Sequence, residues 1–405
     1  MPFQRFIPKI PRTWSAPARR ANDIPSIPRQ ACDSKARTLR RRPSLAAPDT
    51  WCRRPAMRSV PKPPPGELLH DATRAYVRGY RTASLCAGIT LGGVHHVEVL
   101  RSKGAPPSEN TLFALGELTP VFTGALLALL VDQGKARLDI PLSEVIPRSL
   151  LAHATAGRIT LEQLATHTSG MPHLPPNLEQ DAQTMEDPFG HYDARHFGEF
   201  LQTYQPEWPP PRRYAPSILG MGVLGHALSR RAGLNYGHAL RDLLFKPLGM
   251  ADTTLRLSEE QEPRLTPGHT ARGKPVPQWT FPALPGAGAA YATAPDLLRF
   301  LDANLGRGDA GVVRALQMTH VPRAEANPGK MGLGWSVTQV RGQPVVWRAS
   351  VIRGYTGFMG FAAGADAGVV LLANHGWSFF SALRGRIPLQ APGLELLSRL
   401  LPSEA

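Results

Sequence analysis

The run ITLEQLATHTSGMP at residues 159–172 carries the most specific fold signal in this sequence. Thr160 and Gln163 have the spacing of a capping box, in which each side chain bonds the other residue's backbone N–H at a helix start. The spacing predicts a short helix that begins after Thr160 and continues through Ala165. A His-Thr-Ser-Gly segment follows directly, and helical periodicity does not require that composition.

Apolar periodicity predicts strands and helices on both sides of this run. Alternating apolar residues at 85–91, the pair Gly92-Gly93 and a second strand at 95–99 predict a hairpin with a tight turn. A helical pattern covers residues 119–134. The later predicted elements are helices at 219–233, 236–245 and 293–301, strands at 345–347, 355–361 and 368–373, and a helix at 394–401. Strands at both ends with helices between them predict one sheet that is built from both ends of the globular part.

Residues 1–65 differ in composition from the rest of the chain. They carry 15 Lys+Arg, three acidic residues and 13 of the 41 prolines, so they supply +12 of the net charge of +15. Such a segment cannot bury enough surface to offset its ordering entropy, so we expect a disordered tail before one domain at 66–405. Three interpretations stay open: a basic arm for nucleic acid or a membrane surface, a targeting peptide, and a true start at Met57. No apolar secretory stretch follows the basic residues, so the sequence as it stands predicts a cytoplasmic protein.

Charge, cysteine content and hydropathy exclude several classes for the domain itself. After residue 65 the chain has 31 basic and 28 acidic groups, which argues against nucleic-acid binding by the domain. Three cysteines cannot form a disulfide framework. His95 and His96 are adjacent on a predicted strand and point to opposite faces, and the spacing of His191 and His196 does not put them on one helical face, so we expect no metal. Residues 286–288 follow no strand and lack a third glycine, so they predict a turn rather than a phosphate-binding loop, and we expect no cofactor. The longest apolar run, residues 121–131, is too short to cross a membrane.

Further runs extend the signal along the chain. They are FALG at 113–116, VFTG at 121–124, LGHAL at 224–228, PLGMADT at 247–253, GAG at 286–288 and GLGW at 332–335. Together with residues 159–172, and in this order, they resemble the serine beta-lactamase-related family, which includes class C beta-lactamases, penicillin-binding D-alanyl-D-alanine carboxypeptidases and related esterases. The resemblance covers roughly residues 70–400. It implies an α+β fold: an antiparallel sheet from both chain ends, flanking helices, a mostly helical middle subdomain and a cleft between the two parts.

The resemblance also implies three catalytic patterns, and this sequence departs from each of them. In the Ser-x-x-Lys pattern, one helical turn separates the nucleophile from its base. Here Glu117 stands at the serine position and Pro120 at the lysine position. A carboxylate is a poor acyl acceptor, and proline offers no titratable group.

The other two patterns are substituted as well. In RYAPSILG at 213–220, Pro216 stands at the tyrosine position and Ile218 at the asparagine position of the Tyr-x-Asn loop. A shifted register in which Tyr214 is the tyrosine stays open. In WRAS at 347–350, Arg348 replaces the histidine and Ser350 the glycine of the His-x-Gly strand. Arg348 could still attract an anion, whereas a side chain at 350 should narrow the cleft.

The six substituted positions favour a retained fold without the family's serine chemistry. The leading hypothesis is a pseudoenzyme that binds a small molecule or peptide in the cleft lined by Glu117, Pro120, Pro216, Ile218, Arg348 and Ser350. The alternative is an active hydrolase with a rebuilt site, in which Glu117 and Arg348 act through an activated water. A third hypothesis assigns the function to the basic tail. Ser169 lacks a neighbouring base in the sequence, so it is not expected to be a nucleophile.

Overall fold

The computed structural model describes residues 64–78, 84–101, 107–151, 153–179, 186–207, 209–376 and 387–402. The basic tail lies outside these residues up to position 63, so the predictions about the tail stay predictions. Pro65, which the composition places in the tail, is already the first residue of a helix. In the part of the chain that the structure describes, no helix is both long and apolar enough to cross a membrane.

The main sheet is antiparallel and joins the two ends of the domain, as predicted. Its strands are β1 (Ser84–Leu91), β2 (Val94–Arg101), β5 (Ala324–Glu325), β6 (Lys330–Met331), β7 (Ser336–Val340), β8 (Gln343–Ile352), β9 (Tyr355–Ala362) and β10 (Ala367–Ala373). The spatial order is β2-β1-β10-β9-β8-β7-β6-β5. Leu85 of β1 pairs with Ala373 of β10, which closes the sheet between distant parts of the sequence. Strands β3 (Phe113–Ala114) and β4 (Tyr291–Ala292) form a separate pair.

The helices cover both faces of the sheet. They are α1 (Pro65–Arg78), α2 (Thr119–Asp132), α3 (Ala154–Gly157), α4 (Leu161–Ala165), α5 (Ala194–Thr203), α6 (Ile218–Ala232), α7 (Tyr236–Leu240), α8 (Pro285–Gly288), α9 (Ala294–Asn304), α10 (Ala310–Thr319) and α11 (Gln390–Leu400). Helices α1 and α11 pack on one face of the sheet, where Leu69 and Leu397 are buried with Phe358 of β9. The other face packs against the helical middle of the chain, which holds the larger core.

Close packing fixes helix α2 against the turn before β7. A Cβ on Gly124 would lie 2.2 Å from the Leu333 carbonyl oxygen, so only glycine lets the helix approach this closely. Gly334 has φ +80°, and a Cβ there would lie 2.5 Å from the Pro120 carbonyl oxygen. The first turn of α2 is therefore held in place by backbone contacts.

The structure corrects the sequence analysis at several elements. Residues 286–288, for which the sequence predicts a turn, belong to the one-turn helix α8, which begins at Pro285. Helix α1 was not predicted, and neither were α5 and α10. The three short strands β5 to β7 were also not predicted, because runs of two to five residues are too short for a clear period.

Candidate functional site

The turn before α2 holds Glu117 against strand β8. Gly116 has φ +50°, and a Cβ there would lie 2.8 Å from Cβ of Ile352. The backbone N–H of Glu117 donates to the Ser350 hydroxyl at 2.9 Å. The Arg348 Nε–H donates to the Glu117 carbonyl oxygen at 3.2 Å. Three of the six substituted positions are thus joined by hydrogen bonds.

Pro120 lies in the first turn of α2 and is buried. Its missing N–H needs no helical partner at this position, so the proline is compatible with the helix. The carbonyl of Pro120 packs against Gly334, and the Gly334 N–H donates to the Ala165 carbonyl oxygen at 3.2 Å. Pro120 is thereby placed next to the end of α4.

His167, two residues beyond the end of α4, connects this region to the loop before α6. Its backbone has φ +58°, and its side chain is buried. The Ala215 N–H donates to the His167 carbonyl oxygen at 2.9 Å, and the Ser217 N–H donates to Nδ1 of its ring at 3.3 Å. Pro216, between these two donors, is therefore held beside His167.

His173 secures the same loop from its other side. The Pro216 carbonyl oxygen lies 3.0 Å from Nδ1 of His173, and the Ile218 N–H donates to the His173 carbonyl oxygen at 3.0 Å. Pro216 is exposed and Ile218 is half-buried at the start of α6. The structure shows no hydrogen bond between Glu117 and Pro216 among the residues it describes.

Burial and positive charge keep His167 neutral. Its pKa is lowered to about 3, chiefly because burial penalises the charged ring, and further by the positive charge of Arg348 and by His173. Since Nδ1 accepts the Ser217 N–H, the ring proton belongs on Nε2. This Nε2 is buried and has no hydrogen-bond partner among the described residues.

The serine hydroxyls near the site are engaged in local structure. The Ser217 hydroxyl donates to the Pro172 carbonyl oxygen at 2.6 Å and accepts the Gly220 N–H at 2.8 Å, so it caps α6. The Ser169 hydroxyl accepts the Met171 N–H at 3.3 Å and is buried. These contacts are those of capping and turn residues.

Tyr214 lies close to this cluster. Its ring meets the His167 ring edge to face, with the centroids 6.0 Å apart. The side chain is half-buried and contributes to a cavity of about 850 Å³ with Phe200, Tyr204 and Arg213. In the shifted register, Tyr214 takes the role of the tyrosine that the family resemblance implies at position 216. Its phenol ring then lies against the His167 ring.

Sequence reasoning missed His167 itself. The histidine stands in the quoted run at 159–172, but its role depends on a positive φ and on contacts with residues fifty positions later. Neither can be derived from local periodicity. The signal that could have found it is an isolated histidine immediately after a capped helix, since histidine is among the non-glycine residues enriched at positive φ.

Comparison with known proteins identifies the family of this chain. The family model described as Beta-lactamase matches residues 69–386. The chain belongs to the beta-lactamase family. Among the family's curated proteins it is 30% identical over 245 residues to the D-alanyl-D-alanine-carboxypeptidase/endopeptidase AmpH of Escherichia coli, a match that covers 56% of this chain and 61% of that protein. It is 26% identical over 306 residues to penicillin-binding protein 4 of Amycolatopsis lactamdurans, covering 70% of this chain and 78% of that protein.

Solved structures of the family share the fold. A class C beta lactamase from Rhodobacter sphaeroides matches with a TM-score of 0.67 at 22% identity, over 80% of this chain and 99% of that one. A beta-lactamase/D-alanine carboxypeptidase from Pseudomonas syringae matches with a TM-score of 0.70 at 22% identity, over 83% and 98%. The predicted α+β fold with a sheet from both chain ends is confirmed.

Proposed function

We propose that this beta-lactamase family protein does not acylate, and that it binds a small molecule without covalent chemistry in a cleft at the substituted motif positions. Serine acyl transfer needs an activated nucleophile and hydrogen-bond donors that stabilise the developing oxyanion. Glu117 and Pro120 stand at the positions where the resemblance implies nucleophile and base. A carboxylate at the first would give a labile anhydride, and the second has no proton acceptor.

One observation carries the proposal: the Glu117 N–H is already bonded to the Ser350 hydroxyl. The backbone N–H of a nucleophile is a common oxyanion donor in acyl transfer. Here a substrate oxygen would have to displace a buried hydroxyl that occupies this donor at 2.9 Å. The serine at position 350 therefore removes an electrostatic contribution that is worth roughly a hundredfold or more in rate.

The neighbouring groups do not replace the lost base. His167 is neutral but, with a pKa of about 3, it is a very weak base. Its Nδ1 accepts the Ser217 N–H, and the Ser217 hydroxyl caps α6. A histidine in this state would activate Ser217 or Ser169 poorly.

The active-hydrolase alternative has one observation in its favour. Glu117 is half-buried, and its carboxylate forms no ion pair with any described residue, although Arg348 contacts its backbone. A carboxylate on a residue whose backbone contacts a guanidinium could orient a water molecule for attack. The two hypotheses differ in what they predict for Glu117→Gln.

Hydrolysis assays with an activated ester and a chromogenic cephalosporin test the proposal. We expect the wild-type protein to hydrolyse neither above the rate of an equal concentration of Glu117→Gln. A wild-type rate at least tenfold above that of Glu117→Gln would support the rebuilt hydrolase and contradict the pseudoenzyme. Circular dichroism of both proteins ensures that the comparison is between folded chains.

A further inference from the structure

A large cavity away from the substituted motifs is lined by residues of helix α7, the loop before α8 and strand β4. Its volume is about 1100 Å³, and none of the six substituted positions lines it. We propose that this cavity binds a neutral aromatic compound that carries a hydroxyl group. The inference goes beyond the function proposed above and does not depend on it, because it concerns a different set of residues.

Four aromatic side chains form much of the cavity wall. Tyr236 belongs to α7, Phe245 to the helical turn that follows it, Phe281 to the loop before α8, and Tyr291 to β4. All four side chains are buried, so the wall consists largely of ring surface. Pockets for small molecules combine such apolar walls with a few polar groups, and aromatic rings pack favourably against other rings.

The hydroxyl groups on the wall are used within the protein, with one exception. The hydroxyls that bond other groups of the chain are those of Tyr236, Thr253, Thr254 and Thr280. The Tyr291 hydroxyl makes no hydrogen bond with any described residue, although Tyr291 is only 8% exposed. Burial raises the pKa of Tyr291 to about 12, and the charge of Asp187 adds to this, so the phenol stays protonated. It can therefore both donate a hydrogen bond to a ligand and accept one.

The Gln278 side chain supplies a second polar group to the same cavity. Its Oε1 is buried and has no hydrogen-bond partner among the described residues. A buried oxygen without a donor is unfavourable, and a donor on the ligand would relieve this cost. A hydroxyl is the simplest ligand group that can donate to Gln278 or accept from Tyr291.

The distribution of charge favours a neutral ligand over an ionised one. The charged or titratable residues that line the cavity are all exposed, and they are His238, Arg241, Arg256 and Glu262. Arg241 also pairs with Asp242 at 3.0 Å. Among the described lining residues, no buried one carries a charge, so an ionised ligand would be desolvated there without a buried counter-charge.

Backbone hydrogen bonds hold this part of the wall in place. The Tyr291 N–H donates to the Thr254 carbonyl oxygen at 2.8 Å, and the Thr254 N–H donates back to the Tyr291 carbonyl oxygen at 3.0 Å. Beside them, the Leu115 N–H donates to the Ala290 carbonyl oxygen at 2.8 Å. A wall that is ordered before the ligand arrives lowers the entropic cost of binding.

Isothermal titration calorimetry with 2-naphthol tests the inference. We expect one site per chain with a Kd below about 1 mM, a scale that a ligand of this size permits. Tyr291→Phe keeps the ring and removes the hydroxyl, so it should weaken binding about five- to tenfold. Tyr192→Phe is the matched control, because Tyr192 is a buried phenol that does not line the cavity, and it should leave the affinity unchanged. Thermal unfolding verifies that both variants are folded.

The charge argument is tested with 2-naphthoate, which replaces the hydroxyl with a carboxylate. We expect it to bind at least about tenfold more weakly than 2-naphthol, because the buried wall offers no cation. Three outcomes would overturn the inference: no saturable binding of 2-naphthol, equal affinity of wild type and Tyr291→Phe, and tighter binding of 2-naphthoate than of 2-naphthol. The last would assign the ligand to the exposed arginines instead of the aromatic wall.

Discussion

The Ser350 hydroxyl accepts the Glu117 N–H at 2.9 Å, and this bond joins the turn before α2 to the last turn-side residues of strand β8. Glycine, the residue that the family resemblance implies at 350, could not make it. Under the proposed function, serine replaces this glycine and glutamate replaces the nucleophile at 117. The Ser350 hydroxyl then accepts the backbone N–H of residue 117 in place of a substrate oxygen.

Ser350→Ala should destabilise the protein by about 1–2 kcal/mol. The substitution removes the acceptor of the Glu117 N–H and leaves the backbone of β8 unchanged. Urea unfolding measures the change, and the exposed Ser258→Ala should stay within about 0.5 kcal/mol of wild type. Equal stability of Ser350→Ala and wild type would mean that water replaces the hydroxyl at no cost.

Gly124→Ala should destabilise the protein by about 3 kcal/mol or more, although alanine is the better helix former. The new Cβ would lie 2.2 Å from the Leu333 carbonyl oxygen, so α2 or the turn before β7 must move. Gly198→Ala in helix α5 is the matched control, since a Cβ there meets nothing within 4 Å. We expect this control to gain about 0.5–1 kcal/mol, and the opposite signs should be visible in thermal unfolding.

Stability should fall as the pH drops below about 6.5. The pKa of His167 is lowered to about 3 and that of His320 to about 4, in both cases chiefly by burial. Between these values and the unfolded value near 6.5, the unfolded chain binds more protons, so the free energy of unfolding decreases with acidity. Each group contributes a slope of at most about 1.4 kcal/mol per pH unit.

Urea unfolding at pH 6.5 and 4.5 checks this dependence on a matched pair of variants. His320→Gln can keep the hydrogen bond to Asn304, which His320 makes at 2.6 Å, and should reduce the loss of stability. The exposed His238→Gln should leave the loss unchanged. An identical loss in wild type and His320→Gln would show that His320 takes no part in the acid destabilisation.

Glu117→Ser alone should not create a hydrolase. Proline at 120 would still provide no base, and proline at 216 would still provide no proton relay. The Ser350 hydroxyl would still accept the backbone N–H of residue 117. Members of a catalytic unit act together, so restoring one of them recovers little rate.

We expect hydrolysis of an activated ester only when Glu117→Ser is combined with Pro120→Lys, Pro216→Tyr, Ile218→Asn and Ser350→Gly. The same combination with alanine at 117 is the control and should be inactive. Turnover by Glu117→Ser on its own would mean that another group in the cleft already serves as base.

Local chemistry made much of the fold predictable. The capping box of Thr160 and Gln163 is present with both of its hydrogen bonds. The hairpin turns at Gly92 and Gly93, both of which have positive φ, as a tight turn requires. Cys86 is fully buried in β1, within the alternating apolar residues at 85–91 that predict this strand.

Tertiary context decided what the sequence could not predict. Asp296 follows the capping pattern after Thr293, yet its carboxylate accepts the Asp252 N–H and the Thr253 hydroxyl across the fold. Helix α1 is amphipathic and buries Leu68 and Leu69, so its periodicity was a usable signal that the sequence analysis missed. His167 belongs to the same class as Asp296, because its partners come from the loop before α6.

Intact-protein mass spectrometry after incubation with a beta-lactam tests the central claim most directly. The account predicts no stoichiometric mass increase. Glu117 stands at the nucleophile position, Pro120 stands at the position of the base, and the backbone N–H of Glu117 is bonded to the Ser350 hydroxyl. A serine beta-lactamase of the same family, treated in parallel, verifies that the reagent acylates. A stoichiometric mass increase on this protein that maps to Ser169, Ser217 or Ser350 would contradict the account.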